Sequence, residues 1–277
     1  MSEKPILVTG CSSGIGLCVA DGLKQRGYRV FATARNPDDV DRLTANGHEA
    51  LQLDIRDSKS INQAVDEILL RTENRLYALF NNAGYGQPGA VEDLPGNILR
   101  EQFETNFFGT FDLTNRIIPV MRKQGHGRLI FNSSVLGFAA MRYRGAYNAS
   151  KFAMEGLCDT LRMELENTGI HISIIEPGPI TSRFRSNAMA AFMKNIDRQN
   201  SHHKEIYAVM EARLTKKGPA VLFTQGPEAV LNKVIHSLES DRPRVRYYVT
   251  FPTYLFAFLR HILPYRAMDW VLKKAGA

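Results

Sequence analysis

Tyr147 and Lys151 stand four residues apart, and Ser134 lies thirteen residues before the tyrosine. In a helix, a rise of about 1.5 Å per residue puts positions four apart on one face, roughly 6 Å apart along the axis. A lysine ammonium placed there can act on the phenol. A free tyrosine loses its proton near pH ~10, and a neighbouring cation favours the phenolate, so the pair is expected to give a proton donor and acceptor usable nearer neutrality. Interconversion of a carbonyl and an alcohol needs such a group. The spacing alone equally describes a solvated helical face, so its meaning rests on the elements that would position it.

The first of these has a nucleotide-binding order. Lys4-Pro5-Ile6-Leu7-Val8-Thr9-Gly10 reads as a short buried strand, and Cys11-Ser12-Ser13-Gly14-Ile15-Gly16 as a turn into a helix running to about Arg26. Glycines let the backbone approach a pyrophosphate, and a helix amino terminus offers it free N–H groups and a positive dipole end. The spacing Gly-x-x-x-Gly-x-Gly has one residue more between its first two glycines than the usual dinucleotide fingerprint. A tight strand-to-helix turn would use glycines too.

Gly27 ends that helix before the strand candidate 28–34, and Gly47 ends a second helix before Glu49 to Leu53. Asp57 to Arg71 is amphipathic, and Leu76 to Phe80 is an apolar strand. Alternating helices and apolar strands predict a single-domain α/β fold, a Rossmann-type doubly wound parallel sheet with ligands at the carboxyl ends of the strands. Arg35 follows the second strand directly, where an acidic residue would meet the ribose 2′-hydroxyl of NAD. An arginine there suits a 2′-phosphate, which favours NADP(H), although a solvated arginine at a strand end is the plainer alternative.

Asn81-Asn82-Ala83-Gly84 closes the fourth strand, and a long helix is predicted over Ile98 to Arg122. Asn106 interrupts its apolar run of Phe103, Phe107, Phe108 and Phe111. A buried amide there needs hydrogen-bond partners that bend or pin the helix. Gly127 to Ser134 reads as a fifth strand ending in hydroxyls, and Gly145 to Asn167 as the helix bearing Tyr147 and Lys151.

Composition narrows the classes. The 277 residues, 44% hydrophobic and 23% charged, describe a globular chain long enough for a full core. No export signal is read at the amino terminus, and Cys11, Cys18 and Cys158 have neither metal nor redox spacing, which suits the reducing cytoplasm. All three read as packing residues, with Cys11 the one candidate for a reactive thiol. The net charge of +7 is concentrated in residues 242–277, where seven arginines and lysines face one aspartate. No nucleic-acid motif accompanies it, so nucleic-acid binding is not expected.

Taken together, Thr9, Gly10, Gly14 and Gly16, then Asn81-Asn82-Ala83-Gly84, then Asn106, Ser134, Tyr147 and Lys151, and finally Pro177-Gly178, resemble the short-chain dehydrogenase/reductase family over about residues 5–180. The resemblance implies about seven strands, with Val245 to Thr250 the last, and a catalytic domain over residues 1–250. It implies NADPH at the strand ends: pyrophosphate on the turn holding Gly10, Ser13, Gly14 and Ile15, 2′-phosphate near Ser12 and Arg35, and adenine near Asp54 and Ile55. Asn82, Ala83 and Gly84 would line the ribose, and Pro177, Gly178 and Ile180 would back the nicotinamide. Tyr147 would act as acid and base, Ser134 would hold the substrate oxygen, Lys151 would hold the ribose and lower the tyrosine pKa, and Asn106 would support a water of the proton relay. Where the family commonly has threonine this chain has Ser182, leaving either Thr181 or Ser182 to meet the carboxamide. No metal is implied. A homodimer or homotetramer through 98–122 and 145–167 is, and a lipophilic aldehyde or ketone suits the similarity to aldehyde, retinoid and steroid reductases. A scaffold that binds NADP(H) without turnover is the alternative.

Two segments are less determined. Around 181–226, Ala188, Ala191, Phe192, Met193, Ile196, Ile206, Val209 and Met210 suggest helices of an insertion covering the substrate, and His202-His203 reads as a solvated turn rather than a metal site. The apolar stretch 251–263 is too short to span a bilayer. The extension 251–277 is expected to pack on the core, with a substrate lid or an anionic membrane surface as alternatives.

Overall fold

The computed structural model describes residues 4–216, 218 and 221–275. Its strands are β1 (Pro5–Val8), β2 (Arg29–Ala34), β3 (Glu49–Gln52), β4 (Ala78–Asn81), β5 (Gly127–Asn132), β6 (Ile170–Pro177) and β7 (Arg246–Val249). All pair in parallel, in the order β3-β2-β1-β4-β5-β6-β7. The register runs Leu7 beside Phe31 on one flank of β1 and beside Leu79 on the other. Strand order reverses between β1 and β4, which opens a crevice at their carboxyl ends.

The helices between the strands are α1 (Gly14–Gln25), α2 (Pro37–Ala45), α3 (Ser58–Arg71), α4 (Gly96–Phe103), α5 (Gly109–Gln124), α6 (Gly145–Glu164), α7 (Phe184–Asn195), α8 (Lys204–Thr215) and α9 (Glu228–Glu239). They cover both faces, as alternation along β1 requires. Leu7 joins Phe31, Ile61, Val65, Leu113, Ile117 and Leu129 in one core beneath α3, α5 and α6. Its neighbours Ile6 and Val8 point the other way, to Val19, Leu23, Phe80, Val230 and Val234 beneath α1 and α9.

The helix expected over 98–122 is a helical run from Gly96 to Gln124 with a π-helical turn at Glu104–Phe108 between α4 and α5. Asn106 lies in that turn, fully buried. It donates to the Tyr85 carbonyl at 2.9 Å and accepts from the Tyr85 N–H at 3.1 Å, so the predicted pinning takes the form of one inserted residue. The helix carrying Tyr147 stops at Glu164 rather than Asn167, which takes a left-handed φ of 63° in the turn to β6.

Residues 184–215 form α7 and α8 as the cover pattern suggested, but the inward positions differ. Ala188, Phe192 and Ile196 are buried, whereas Met193, Ile206 and Val209 are exposed and Tyr207 is the buried anchor. Its hydroxyl bonds Asp93 and accepts from the Ala90 N–H at 2.9 Å, tying α8 to the loop after β4. The tail forms α10 (Phe251–Ile262) and α11 (Tyr265–Ala275). Phe256, Met268 and Leu272 pack on Val135, Leu136 and Tyr147, while other aromatics face outward, so the tail packs on the core with one face only. No helix among the described residues is long and apolar enough to cross a membrane.

Candidate active site

The carboxyl ends of β1, β4 and β5 are laced together by side-chain amides and a hydroxyl. Thr9 Oγ1 accepts from the N–H groups of Asn82 and Ala83, both at 2.9 Å. Asn82 Nδ2 donates to the carbonyls of Thr9 at 2.9 Å and Gly10 at 3.3 Å, and Asn82 Oδ1 accepts from Asn132 Nδ2 at 2.9 Å. Lys151 Nζ donates to the Asn132 carbonyl at 2.7 Å. Asn82 and Asn132 thus connect the glycine turn to the predicted lysine.

The turn has the shape a diphosphate cradle needs. Gly10 and Gly14 sit at φ of 73° and 60°, values that L side chains rarely adopt. A Cβ on Gly16 would lie 2.2 Å from the Gly10 carbonyl oxygen. Ser12, Ser13 and Ile15 are part-buried within this turn, and Ser13 is the extended residue that opens α1. Cys11, by contrast, is fully buried, with its thiol pushed up to about 12 by burial, so it is a packing residue and not a nucleophile.

Around the turn, Arg35 is exposed just past β2, and among the described residues its guanidinium has no hydrogen bond or ion pair. Arg42, which no sequence motif marks, donates from Nη2 to the Ser12 carbonyl at 2.6 Å and pairs with Asp39 at 2.7 Å. The Asp54 carboxylate is held below the usual carboxylate range by bonds from Arg56, and Ile55 is buried in the core, so only Asp54 presents a side chain near that rim. Ala83 and Gly84 continue the rim, and a Cβ on Gly84 would meet Asn106 Oδ1 at 3.1 Å.

Tyr147 and Lys151 lie in the first two turns of α6, with the ammonium 5.8 Å from the centre of the phenol ring. Ser134 follows β5, and its Oγ accepts from the Leu136 N–H at 3.1 Å, capping a short 3₁₀ turn. Burial pushes Tyr147 up to about 12 against the lowering effect of Ser134. Desolvation thus sets the direction, opposite to the acidification expected from a neighbouring lysine. Lys151, 4% exposed, is itself pushed down to about 8 by burial, with the Glu155 charge opposing. Asn106 reaches the same helix, donating to Ser150 Oγ at 3.2 Å.

Pro177 ends β6, and Gly178 donates to the Val249 carbonyl at 3.1 Å. Ile180 bridges to Gln225 and packs on the core beneath α1 and α9. Of the two hydroxyl candidates beyond it, Thr181 is exposed, whereas Ser182 lies over the glycine turn, its Cβ 2.9 Å from where a Cβ on Gly14 would be. Phe184 was not singled out by the sequence; its ring stands 5.3 Å from the Tyr147 ring, edge to face, and its tip fills the space that a side chain at Gly86 would need. His202 is exposed in a turn as expected, but His203 is part-buried, set edge to face against the Tyr143 ring and bonded to Glu92 at 2.5 Å.

Comparison with known proteins gives a consistent answer. The family model described as short chain dehydrogenase matches residues 4–191. The uncharacterized oxidoreductase YbbO of Escherichia coli is 42% identical over 271 residues, covering 98% of this chain and 94% of that protein. Human 17-beta-hydroxysteroid dehydrogenase type 1 is 33% identical across 90% of this chain and 78% of its own length, and human retinol dehydrogenase 8 is 31% identical across 88% and 81%. Among solved structures, a short-chain dehydrogenase from Streptomyces avermitilis superposes with a TM-score of 0.79 at 28% identity, covering 96% of this chain and 95% of that one. An actinorhodin polyketide ketoreductase variant crystallised with NADPH gives 0.72 at 28% identity, over 89% and 95%. The parallel sheet, the laced strand ends and these matches lead to one statement: the chain belongs to the short-chain dehydrogenase/reductase family of oxidoreductases.

Proposed function

We propose that the protein is an NADPH-dependent reductase of a lipophilic aldehyde or ketone, running reversibly between carbonyl and alcohol. The observation that carries this is the unbroken chain of bonds from Lys151 through Asn132 and Asn82 to Gly10, which fixes the acid–base residues relative to a turn shaped for a diphosphate. When bound, the nicotinamide supplies a hydride to the carbonyl carbon. The rest is the work of this chain. Tyr147, held protonated by its burial, gives its proton to the developing alkoxide, and Ser134 donates to that oxygen and orients it. Lys151 carries a positive charge that favours the phenolate left behind. Asn106 keeps the α4–α5 turn against α6 and supports a water of the relay that restores the proton.

Cofactor binding is assigned to Gly10, Ser12, Ser13, Gly14, Ile15, Arg35, Asp54, the Ile55 backbone, Asn82, Ala83, Gly84, Pro177, Gly178, Ile180 and Ser182, with Tyr147 and Lys151 at the ribose. The Arg35 guanidinium, exposed just past β2 and bonded to none of the described residues, favours NADPH over NADH. The apolar surroundings of Tyr147, with Phe184, Val135 and Phe256 beside it, favour a lipophilic substrate, and the names of the steroid and retinol relatives point to the same class. Exposed Leu99, Phe108, Phe152, Leu157 and Met163 on α4 to α6 support subunit pairing through these helices. Three unpaired cysteines agree with a cytoplasmic location.

The test is oxidation of NADPH with a panel of aliphatic, aromatic, retinoid and steroid carbonyls. Tyr147→Phe is expected to lower the rate by about a hundredfold to ten-thousandfold, the usual worth of a general acid, with the circular dichroism spectrum unchanged. Activity surviving in that variant would remove Tyr147 from the reaction, and NADPH binding without turnover of any carbonyl would leave a binding scaffold instead.

A further inference from the structure

The two faces of the tail differ in kind. Inward, Phe256, Met268 and Leu272 close over Val135, Leu136 and Tyr147. Outward on α10, Phe251, Tyr254, Leu255, Phe258 and Ile262 fall at i, i+3, i+4, i+7 and i+11 and are all exposed, Phe258 by 62%. This is a continuous apolar stripe along one side of the helix. It continues beyond α10, because the Phe251 ring lies 4.9 Å from that of Phe223, which is exposed together with Leu222. On α11, Arg266, Trp270, Lys273 and Lys274 share an exposed side, with Lys274 Nζ 4.1 Å from the centre of the indole. Tyr265, at the junction of the two helices, is 92% exposed.

A stripe of this size in water is unfavourable by the same apolar-area effect that folds the core, so it calls for an occupant. Charge selects among the occupants. The outward side of α11 carries Arg266, Lys273 and Lys274 with Asp269 as its one acid, while Arg260 of α10 turns to the Phe152 ring of α6 at 5.7 Å. A second copy docked face to face would bring these cations together. A surface that is apolar below and anionic above satisfies both halves, with tryptophan and tyrosine at the boundary where their polar atoms stay wet.

We propose that α10 and α11 form a docking face for an anionic lipid bilayer, lying in the headgroup layer without crossing it. Aromatic side chains enter the acyl boundary, and Arg266, Lys273 and Lys274 meet lipid phosphates and carboxylates. Because the inner side of the same helices roofs Tyr147, a carbonyl dissolved in the bilayer would be delivered close to the reacting phenol. That consequence rests on the reductase reading; the docking itself does not.

Flotation of the full-length protein with vesicles separates the two. Vesicles of phosphatidylcholine with about 30 mol % phosphatidylserine should carry the protein upward at low salt, and pure phosphatidylcholine vesicles should carry far less. Screening by about 0.5 M salt should release it. Two variants, each at exposed positions and checked for unchanged thermal unfolding, test the two contributions. Phe258→Asp should abolish flotation, and the triple change Arg266→Gln, Lys273→Gln, Lys274→Gln should weaken it about a hundredfold, at roughly fivefold per cation. Absence of wild-type flotation, equal recovery with neutral vesicles, or binding untouched by both variants would overturn the proposal. So would a lipid-free dimer that Phe258→Asp converts to monomer, since the stripe would then be a contact between copies. A carbonyl panel without turnover, alongside intact flotation, would instead remove the reductase reading and leave the docking face standing.

Discussion

Lys151 Nζ donates its hydrogen bond to the carbonyl oxygen of Asn132, at 2.7 Å. The bond points the ammonium at the end of β5, so its influence on Tyr147 is through space, across 5.8 Å to the ring centre. Both groups are buried, and burial disfavours the charged form of each: the phenol goes up to about 12, the ammonium down to about 8. The charge that aids proton donation by Tyr147 is thus lost first as the solution becomes alkaline.

This gives the rate of carbonyl reduction a definite pH dependence. The rate should be level near neutrality and fall as pH rises through about 8, where Lys151 gives up its proton, approaching a tenfold loss per pH unit beyond. Tyr147 is still protonated there, so the fall belongs to the lysine. A pH–rate profile from 6 to 10 checks it, and Lys151→Arg, whose charge persists, should push the decline to higher pH even if its overall rate is lower. A wild-type profile level up to pH 10 would contradict the assignment.

Arg42 holds the turn through the Ser12 carbonyl at 2.6 Å, whereas Arg35, exposed just past β2, has a guanidinium that bonds none of the described residues. Arg35→Ala should therefore weaken NADPH binding by roughly 10- to 100-fold, the worth of a charge-assisted bond, and leave NADH almost unchanged. Arg42→Ala loosens the turn that both cofactors share and should weaken the two by similar factors. Fluorescence titration with each dinucleotide distinguishes these outcomes, and an equal loss of both in Arg35→Ala would remove the 2′-phosphate role.

Much of this arrangement is legible in the sequence because it depends on local chemistry. Leu7 between Ile6 and Val8 predicts a strand buried on both faces, and Gly10, Gly14 and Gly16 predict a turn that other residues would strain. Asn106 in a run of phenylalanines announces a buried amide, though not that the helix accommodates it with a π turn, since that depends on Tyr85 arriving from another segment. What stayed hidden depends on long-range approach. Phe184 reaches Tyr147 across 37 positions only because the cover folds back over the sheet, and Tyr207, rather than Ile206, turns inward because Asp93 offers its hydroxyl an acceptor. The reversed direction of the Tyr147 shift has the same origin, since spacing reports the neighbouring cation and says nothing of the solvent removed by the tail.

Two glycines make opposite predictions. A methyl on Gly16 would lie 2.2 Å from the Gly10 carbonyl and 2.6 Å from Asn82 Nδ2, so Gly16→Ala must displace the first turn of α1. It should destabilise the fold by about 1–3 kcal/mol and cost most of the dinucleotide affinity. Gly156 lies on the exposed side of α6, and a methyl there would find no other atom within 4 Å. Gly156→Ala should stabilise by about 0.5–1 kcal/mol through helix propensity alone. Urea unfolding of the two variants checks both signs.

Behind Lys151, Arg246 gathers three carboxylates: it bonds Glu155, meets Glu176 at 2.8 Å and meets Asp159 at 2.7 Å. One guanidinium cannot balance three charges in a site where Glu176 is fully buried. Burial, then the charge of Glu155, pushes Glu176 up to about 8 from an ordinary 4.5, against the pull of Arg246. Between those two values the folded protein keeps a proton that the unfolded chain has released. Stability contributed by this proton is therefore full below about pH 4.5 and is lost as pH rises to about 8. Glu176→Gln keeps an acceptor for Arg246 and removes the Glu176 titration, leaving that of Glu155, which burial also raises. The variant should gain on the wild type by roughly 2–4 kcal/mol between pH 5 and pH 8. Urea midpoints of both proteins at the two pH values measure that change directly, and a difference independent of pH would mean that the Glu176 carboxyl is ionised throughout.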